Sequence, residues 1–159
     1  PDSPTTIAAV NGYGAALQAA RMDAEWLAHS QDVMQRASRL DPDSVERLHA
    51  INNLGGALAT ASRHAEAAPM LREAVARAEL NLSKHSESYT NLLIWLTTCE
   101  EAMGNKDAGM QMRRKSVEHA ERTYGPDNRV TFSTRYNYAL VLVRAGRTEE
   151  ALALIDQII

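Results

Sequence analysis

Three short breaks recur at a fixed interval: Asp41-Pro42-Asp43-Ser44, Ser83-Lys84-His85-Ser86 and Gly125-Pro126-Asp127-Asn128 begin 42 residues apart. A period of roughly 20–50 residues marks stacked supersecondary units, because a unit that short cannot bury its apolar faces alone. The syntax between breaks also returns. Asn53-Leu54-Gly55 followed by Ala61-Ser62-Arg63-His64-Ala65-Glu66-Ala67 reappears 84 residues later as Asn137-Tyr138-Ala139 followed by Ala145-Gly146-Arg147-Thr148-Glu149-Glu150-Ala151. The middle copy, Met103-Gly104-Asn105-Lys106-Asp107-Ala108, reads as one residue shorter across its turn. Near the start, Tyr13-Gly14-Ala15-Ala16-Leu17 falls over Leu54-Gly55-Gly56-Ala57-Leu58 at an offset of 41. The expectation is one domain over residues 1–159, built of units at about 1–40, 41–82, 83–124 and 125–159, the last truncated. The opening Pro1-Asp2-Ser3-Pro4, without an initiating Met or a leader, reads as an excised piece of a larger protein.

Each unit reads as two helices. Val45, Leu48, Ile51, Leu54 and Leu58 share one helical face, and Asp43 or Ser44 can cap that helix. After the interruption at Ser62-Arg63-His64, a second stripe runs through Ala67, Ala68, Leu71, Ala74, Val75 and Ala78. The first unit repeats it with the bulkier Trp26, Leu27, Ser30, Val33, Met34 and Ala37, as a capping unit would. The spacing predicts helices near 4–20, 23–39, 43–61, 64–80, 86–103, 106–123, 127–145 and 148–159. Alanine, 26 of 159 residues, is the commonest type; it favours helix and lets paired helices approach closely. An all-α fold follows.

The same residues exclude much chemistry. Cys99 is the single cysteine, so neither an internal disulfide nor a cysteine zinc cage can form, and burial is the expectation for it. The five histidines have no i, i+4 partner and no HExxH arrangement. No phosphate-binding or nucleophile-elbow motif is present, so neither catalytic residues nor a cofactor or metal are expected. A formal charge of −3 argues against nucleic acid, and no run approaches a membrane span. Arg113-Arg114-Lys115, with Lys106 and Arg122 on the same helix, is the one basic concentration and reads as a solvated face.

Asn53-Leu54-Gly55, the turn at Ser62 to Ala65, and Glu66-Ala67-Ala68-Pro69-Met70-Leu71-Arg72-Glu73-Ala74 together resemble the tetratricopeptide repeats, specifically the longer kinesin-light-chain variety. Tyr124-Gly125-Pro126-Asp127-Asn128 is similar to the linkers of that variety. The resemblance covers almost the whole chain. Pro69 has no counterpart in the other copies, and Trp95 stands where the second and fourth units have Asn53 and Asn137.

The resemblance implies a right-handed superhelical α-solenoid whose first helices line a concave groove, and a non-enzymatic, cytoplasmic module that holds a peptide or partner segment there. The side chains that would face the groove are Asn11, His49, Asn52, Asn53, Asn91, Trp95, Tyr136, Asn137 and Arg144. An amide both donates and accepts, so Asn can pair with an extended backbone; Trp95 and Tyr136 offer apolar platforms, and Arg144 a carboxylate partner. Two alternatives stand beside these roles: Asn53 and Asn137 could brace neighbouring helices, and Trp95 could pack between units. The parent would be a bacterial-type regulatory or signalling protein. The rival function is structural assembly, with weak self-association through Leu154, Ile155, Ile158 and Ile159 on an unfinished last helix and no groove ligand.

Overall fold

The computed structural model of the chain describes residues 3–156, apart from the side chains of 82–85 and 87. The described residues form eight α-helices and no strand: α1 (Pro4–Ala19), α2 (Asp23–Ala37), α3 (Val45–Thr60), α4 (His64–Leu80), α5 (Leu82–Ala102), α6 (Lys106–Tyr124), α7 (Arg129–Arg144) and α8 (Thr148–Ile155). The all-α, helix-pair reading is what the structure shows.

Helix starts follow local chemistry. Ser3 Oγ accepts from the Thr6 amide at 3.2 Å, Ser44 Oγ from Arg47 at 3.4 Å, and Asn128 Oδ1 from Val130 at 2.9 Å. Each satisfies an amide that the first helical turn leaves without an intrahelical acceptor.

The turns inside the pairs share one geometry. Arg21, Ser62, Gly104 and Gly146 all have positive φ, at 55°, 60°, 82° and 77°. In three turns the amide two residues beyond the helix cap reaches back to a leucine carbonyl: Met22 to Leu17 (3.0 Å), Arg63 to Leu58 (2.8 Å) and Arg147 to Leu142 (2.9 Å). These are Schellman-type closures, which consume carbonyls at the helix end. The left-handed residue sits 42 positions after Ser62 at Gly104 and 42 later again at Gly146. The middle turn is therefore not a residue shorter; Met103-Gly104 aligns with Ala61-Ser62 without a gap.

A second correction concerns the break at Ser83-Lys84-His85-Ser86. It lies within α5, which starts at Leu82 and is separated from α4 by Asn81 alone. Asp41-Pro42-Asp43 and Gly125-Pro126-Asp127 each carry a proline that cannot extend a preceding helix, whereas residues 81–86 hold neither proline nor glycine.

The chain divides into two compact units, the first holding α1 to α5 and the second α6 to α8. In the first, α2 packs on α1 and α3, α3 also meets α1, and α4 and α5 pack on α3 and on each other. The whole second-helix stripe of α4 is buried: Ala67, Ala68, Leu71, Ala74, Val75 and Ala78. Burying a side chain such as Leu71 contributes about 1.5–3 kcal/mol. Close approach depends on two glycines of α3. A Cβ on Gly55 would lie 2.6 Å from Leu71, and one on Gly56 would lie 2.6 Å from Trp95 and 2.9 Å from Trp26. The carboxylate of Glu100, nearly inaccessible on α5, is matched by Arg72 of α4 at 2.7 Å, which offsets its desolvation.

In the second unit, α6 and α8 pack on α7 around Val117, Tyr138, Ala139, Leu142 and Ala151. Arg135, buried on α7, holds Glu121 at 2.8 Å and the Pro126 carbonyl at 3.3 Å. Thr131 Oγ1 donates to the Gly125 carbonyl at 2.7 Å, so the α6–α7 connection is pinned from within α7.

Candidate functional site

The side chains singled out on the first helices do not behave alike. In the first compact unit, Asn11 is buried, and its Nδ2 donates to the Glu46 carbonyl at 3.1 Å. Asn53 Nδ2 reaches the Asn11 carbonyl at 3.3 Å and Asn11 Oδ1 at 3.2 Å. These two amides join α1 to α3, an arrangement of the kind the bracing alternative describes for Asn53. Trp95 is half-buried over Gly56, with its ring 6.1 Å from that of Trp26, so its main surface is taken up by packing within the unit.

His49 and Asn52 on α3 are half-buried, and Asn91 on α5 is exposed. Asn52 Oδ1 is buried and has no hydrogen-bond partner among the described residues. Exposed beside Asn91 on α5 is Ile94, an apolar residue that the asparagine pattern did not flag.

On α7, in the second unit, Tyr136, Asn137 and Arg144 are all exposed. Tyr136 keeps 55% of its surface accessible. Asn137 occupies the repeat position of Asn53, yet its amide has no partner among the described residues. The same residue type at the same register is thus hydrogen-bonded in one unit and exposed in the other.

Of the residues expected to self-associate, Leu154 and Ile155 are half-buried against the Tyr138–Leu142 core of the second unit, and Ile158 and Ile159 lie outside the described residues. The apolar residue that α8 does expose is Leu152, at 55%. Leu140 and Val143 on α7 are exposed as well. Comparing each with its counterpart 84 residues earlier could have found all three: Gly56, Ala59 and Ala68 are small, and their replacements are large.

A depression of about 420 Å³ opens in the second unit between Asp107, Met110, Arg114, Tyr138, Arg147 and Glu150. Both charge signs line it. Arg147 is paired with Glu150 at 2.6 Å, and the hydrogen bond from Arg147 holds the Glu150 carboxyl below its ordinary range. The equivalent pair, Arg63 with Glu66 at 2.7 Å, recurs 84 residues earlier and has the same effect on Glu66. The pair is therefore a feature of the repeat's second-helix start. Burial, reinforced by Glu100, pushes the Cys99 thiol up to about 11, the opposite of what a nucleophile needs. Among the described residues no cluster of His, Cys, Asp or Glu could hold a metal ion, and no helix is long and apolar enough to cross a membrane.

A family model described as tetratricopeptide repeat matches residues 47–86, and a second of the same description matches 89–159, so that together they span most of the chain. No curated protein sequence matches it. Among solved structures, a variant form of a Podosopora anserina protein described as a kinesin light chain with nearly identical TPR-like repeats superposes with a TM-score of 0.80. It is 18% identical, and the match covers 97% of this chain and 73% of that one. BtubC (BKLC) from P. vanneervenii gives a TM-score of 0.75 at 13% identity, over 97% of this chain and 61% of that one. Such likenesses extend the helix-pair reading to an α-solenoid of the kinesin-light-chain kind. With the 42-residue period, the shared left-handed turn residue and both sequence models in agreement, this chain belongs to the tetratricopeptide repeat family.

Proposed function

We propose that this chain is a non-catalytic protein-interaction module that holds an extended peptide on α7, with Tyr136, Asn137 and Arg144 as the main contacts. Tetratricopeptide repeats generally mediate protein–protein interaction, and that is the coarse function of the fold. What supports the finer reading is the contrast between Asn53, engaged by Asn11, and Asn137, exposed at the same repeat position and without a hydrogen-bond partner among the described residues. An exposed amide can donate to a peptide carbonyl and accept from its N–H. Tyr136 supplies an apolar platform on one side, and Arg144 two turns further on supplies a fork for a carboxylate. In the first unit, His49 and Asn52 on α3 and Asn91 and the half-buried Trp95 on α5 are candidates for a separate contact. Asn11 and Asn53 leave the set because their amides are engaged with each other. Service within a larger cytoplasmic regulatory or signalling protein completes the proposal.

The test is selection of extended peptides from a random library on the intact chain, followed by fluorescence anisotropy with Tyr136→Ala, Asn137→Ala and Arg144→Gln. Each should weaken the selected peptide by about 1 kcal/mol, the size of a net hydrogen bond or a modest contact, with the melting temperature unmoved. Unchanged affinity in all three variants would place the binding surface elsewhere.

A further inference from the structure

The depression in the second unit is lined from three helices: Asp107, Met110, Gln111 and Arg114 on α6, Tyr138 on α7 and Arg147 on α8. At about 420 Å³ it has the size of a site for one side chain or a small ligand. The same side of α4, in the first unit, stays open although α5 follows it: Arg63 and Glu66 are 40% and 58% exposed, against 42% and 55% for Arg147 and Glu150. What differs between the two places is the floor. The residues 84 positions before Met110, Gln111 and Tyr138 are Trp26, Leu27 and Leu54, and Trp26 is fully buried with Leu27 packed against its cluster. In the second unit an amide and a phenol replace two of these apolar residues.

Tyr138 is nine-tenths buried, yet its hydroxyl has no hydrogen-bond partner among the described residues. A buried hydroxyl is ordinarily paired. The Arg147 guanidinium is held more basic than usual, first by its hydrogen bond with Glu150 and further by Tyr138 and Asp107 nearby, so the phenol's hydroxyl end and the Asp107 carboxylate both lie toward the depression. Charge decides what fits there. Both guanidiniums are engaged by carboxylates of their own helices, Arg147 by Glu150 at 2.6 Å and Arg114 by Glu118 at 3.3 Å, so an anion would have to break a pair to bind. The remaining donor of Arg147, Nη1, rests on Met110 Sδ at 3.5 Å. Asp107 makes no hydrogen bond or close ion pair with a described residue and is the charge left over. Gln111, one turn along α6, adds an unpaired amide carbonyl on the same side of the helix.

We propose that this depression binds an arginine side chain of a protein partner, with Asp107 as its counter-ion and Tyr138 Oη and the Gln111 side-chain oxygen as further acceptors. A guanidinium suits three acceptors on two helices because its planar fork carries five donors, and it is more weakly hydrated than an ammonium. Its apolar stem lies against Met110. The site is separate from the peptide surface: Tyr136, Asn137 and Arg144 do not line it, and α7 enters it only at the buried Tyr138.

Amide chemical shifts of the intact, isotope-labelled chain, titrated with N-acetyl-arginine amide at constant ionic strength, provide the test. Saturable shifts should centre on Asp107, Gln111 and Tyr138, and N-acetyl-lysine amide should bind more weakly. Asp107→Asn, a change at an exposed position, should weaken arginine binding about tenfold, the size of one charge-assisted hydrogen bond. Tyr138→Phe should weaken it several-fold without lowering the melting temperature, since the hydroxyl makes no bond inside the unit. Asn137→Ala, which addresses the peptide surface, should leave it unchanged, so the two sites fail separately. Absence of saturable shifts at these residues, equal binding of the lysine compound, tighter binding of N-acetyl-glutamate amide, or unchanged affinity in Asp107→Asn would each overturn the proposal. So would a fall in melting for Tyr138→Phe, which marks its hydroxyl as structural, and so would guanidinium chloride binding as tightly as the capped arginine, since the stem then adds nothing and no partner side chain is implied.

Discussion

Asn53 on α3 donates from one amide nitrogen to both the backbone and the side-chain oxygen of Asn11 on α1, at 3.3 and 3.2 Å, while Asn11 donates onward to the Glu46 carbonyl at 3.1 Å. This relay joins the first two repeats through polar groups that are largely shielded from water. Removing the donor leaves a buried acceptor unpaired, which costs about 1–3 kcal/mol. Asn53→Ala should lower the melting temperature accordingly in a thermal scan, and Asn137→Ala should not. Equal melting of the two variants would show that the shared repeat position has one role, not two.

Ser62 carries a backbone that glycine prefers. With φ at 60°, it occupies the position where the third and fourth turns have Gly104 and Gly146. A left-handed conformation costs a non-glycine residue about 1–2 kcal/mol, and glycine forfeits part of this through its freer unfolded chain. Ser62→Gly should therefore raise stability by about 0.5–1 kcal/mol in urea unfolding, and Arg21→Gly similarly. Gly146→Ala should shift stability the other way by a like amount.

Gly56 is fixed by size. A methyl group there would press against both tryptophans of the chain, at 2.6 Å from Trp95 and 2.9 Å from Trp26. Overpacking of this kind costs about 1–3 kcal/mol. Gly56→Ala should destabilise by that much and change the intrinsic fluorescence, since Trp26 and Trp95 are its main source. Combining it with Trp95→Leu should cost less than the sum of the two, because the second change makes room for the first.

Cys99 should resist modification while the protein is folded. Its thiol is pushed up to about 11 by burial, so at pH 8 it carries about 100-fold less thiolate than a thiol of ordinary acidity. A raised thiol pKa means that reaction with a disulfide reagent is slow at neutral pH and accelerates as pH approaches that value. The native chain should react at least that much more slowly than the chain in denaturant; comparable rates would place Cys99 at the surface.

The period and the two apolar stripes were legible because they are properties of the sequence alone: a residue every three or four positions must share a helical face, and all six stripe positions of α4 are buried. Every helix start but that of α5 falls within two residues of the predicted one, since proline, serine caps and turn residues act locally. Helix α5 begins four residues early because nothing in residues 81–86 forbids helix, and at the end of α8 the described residues stop at 156.

What the sequence by itself determined was therefore everything set by neighbours along the chain: helix, turn, period and the family they define. The tertiary structure alone decided which exposed-looking side chains are free. Asn53 and Asn137 have the same type, register and local pattern, yet Asn53 is engaged by Asn11 of the preceding repeat and Asn137 is exposed. Leu140 and Gly56 likewise share a register, and one is bare while the other lies under Trp95. Availability to a ligand depends on what a distant segment covers, and covering is a contact between residues far apart in the chain.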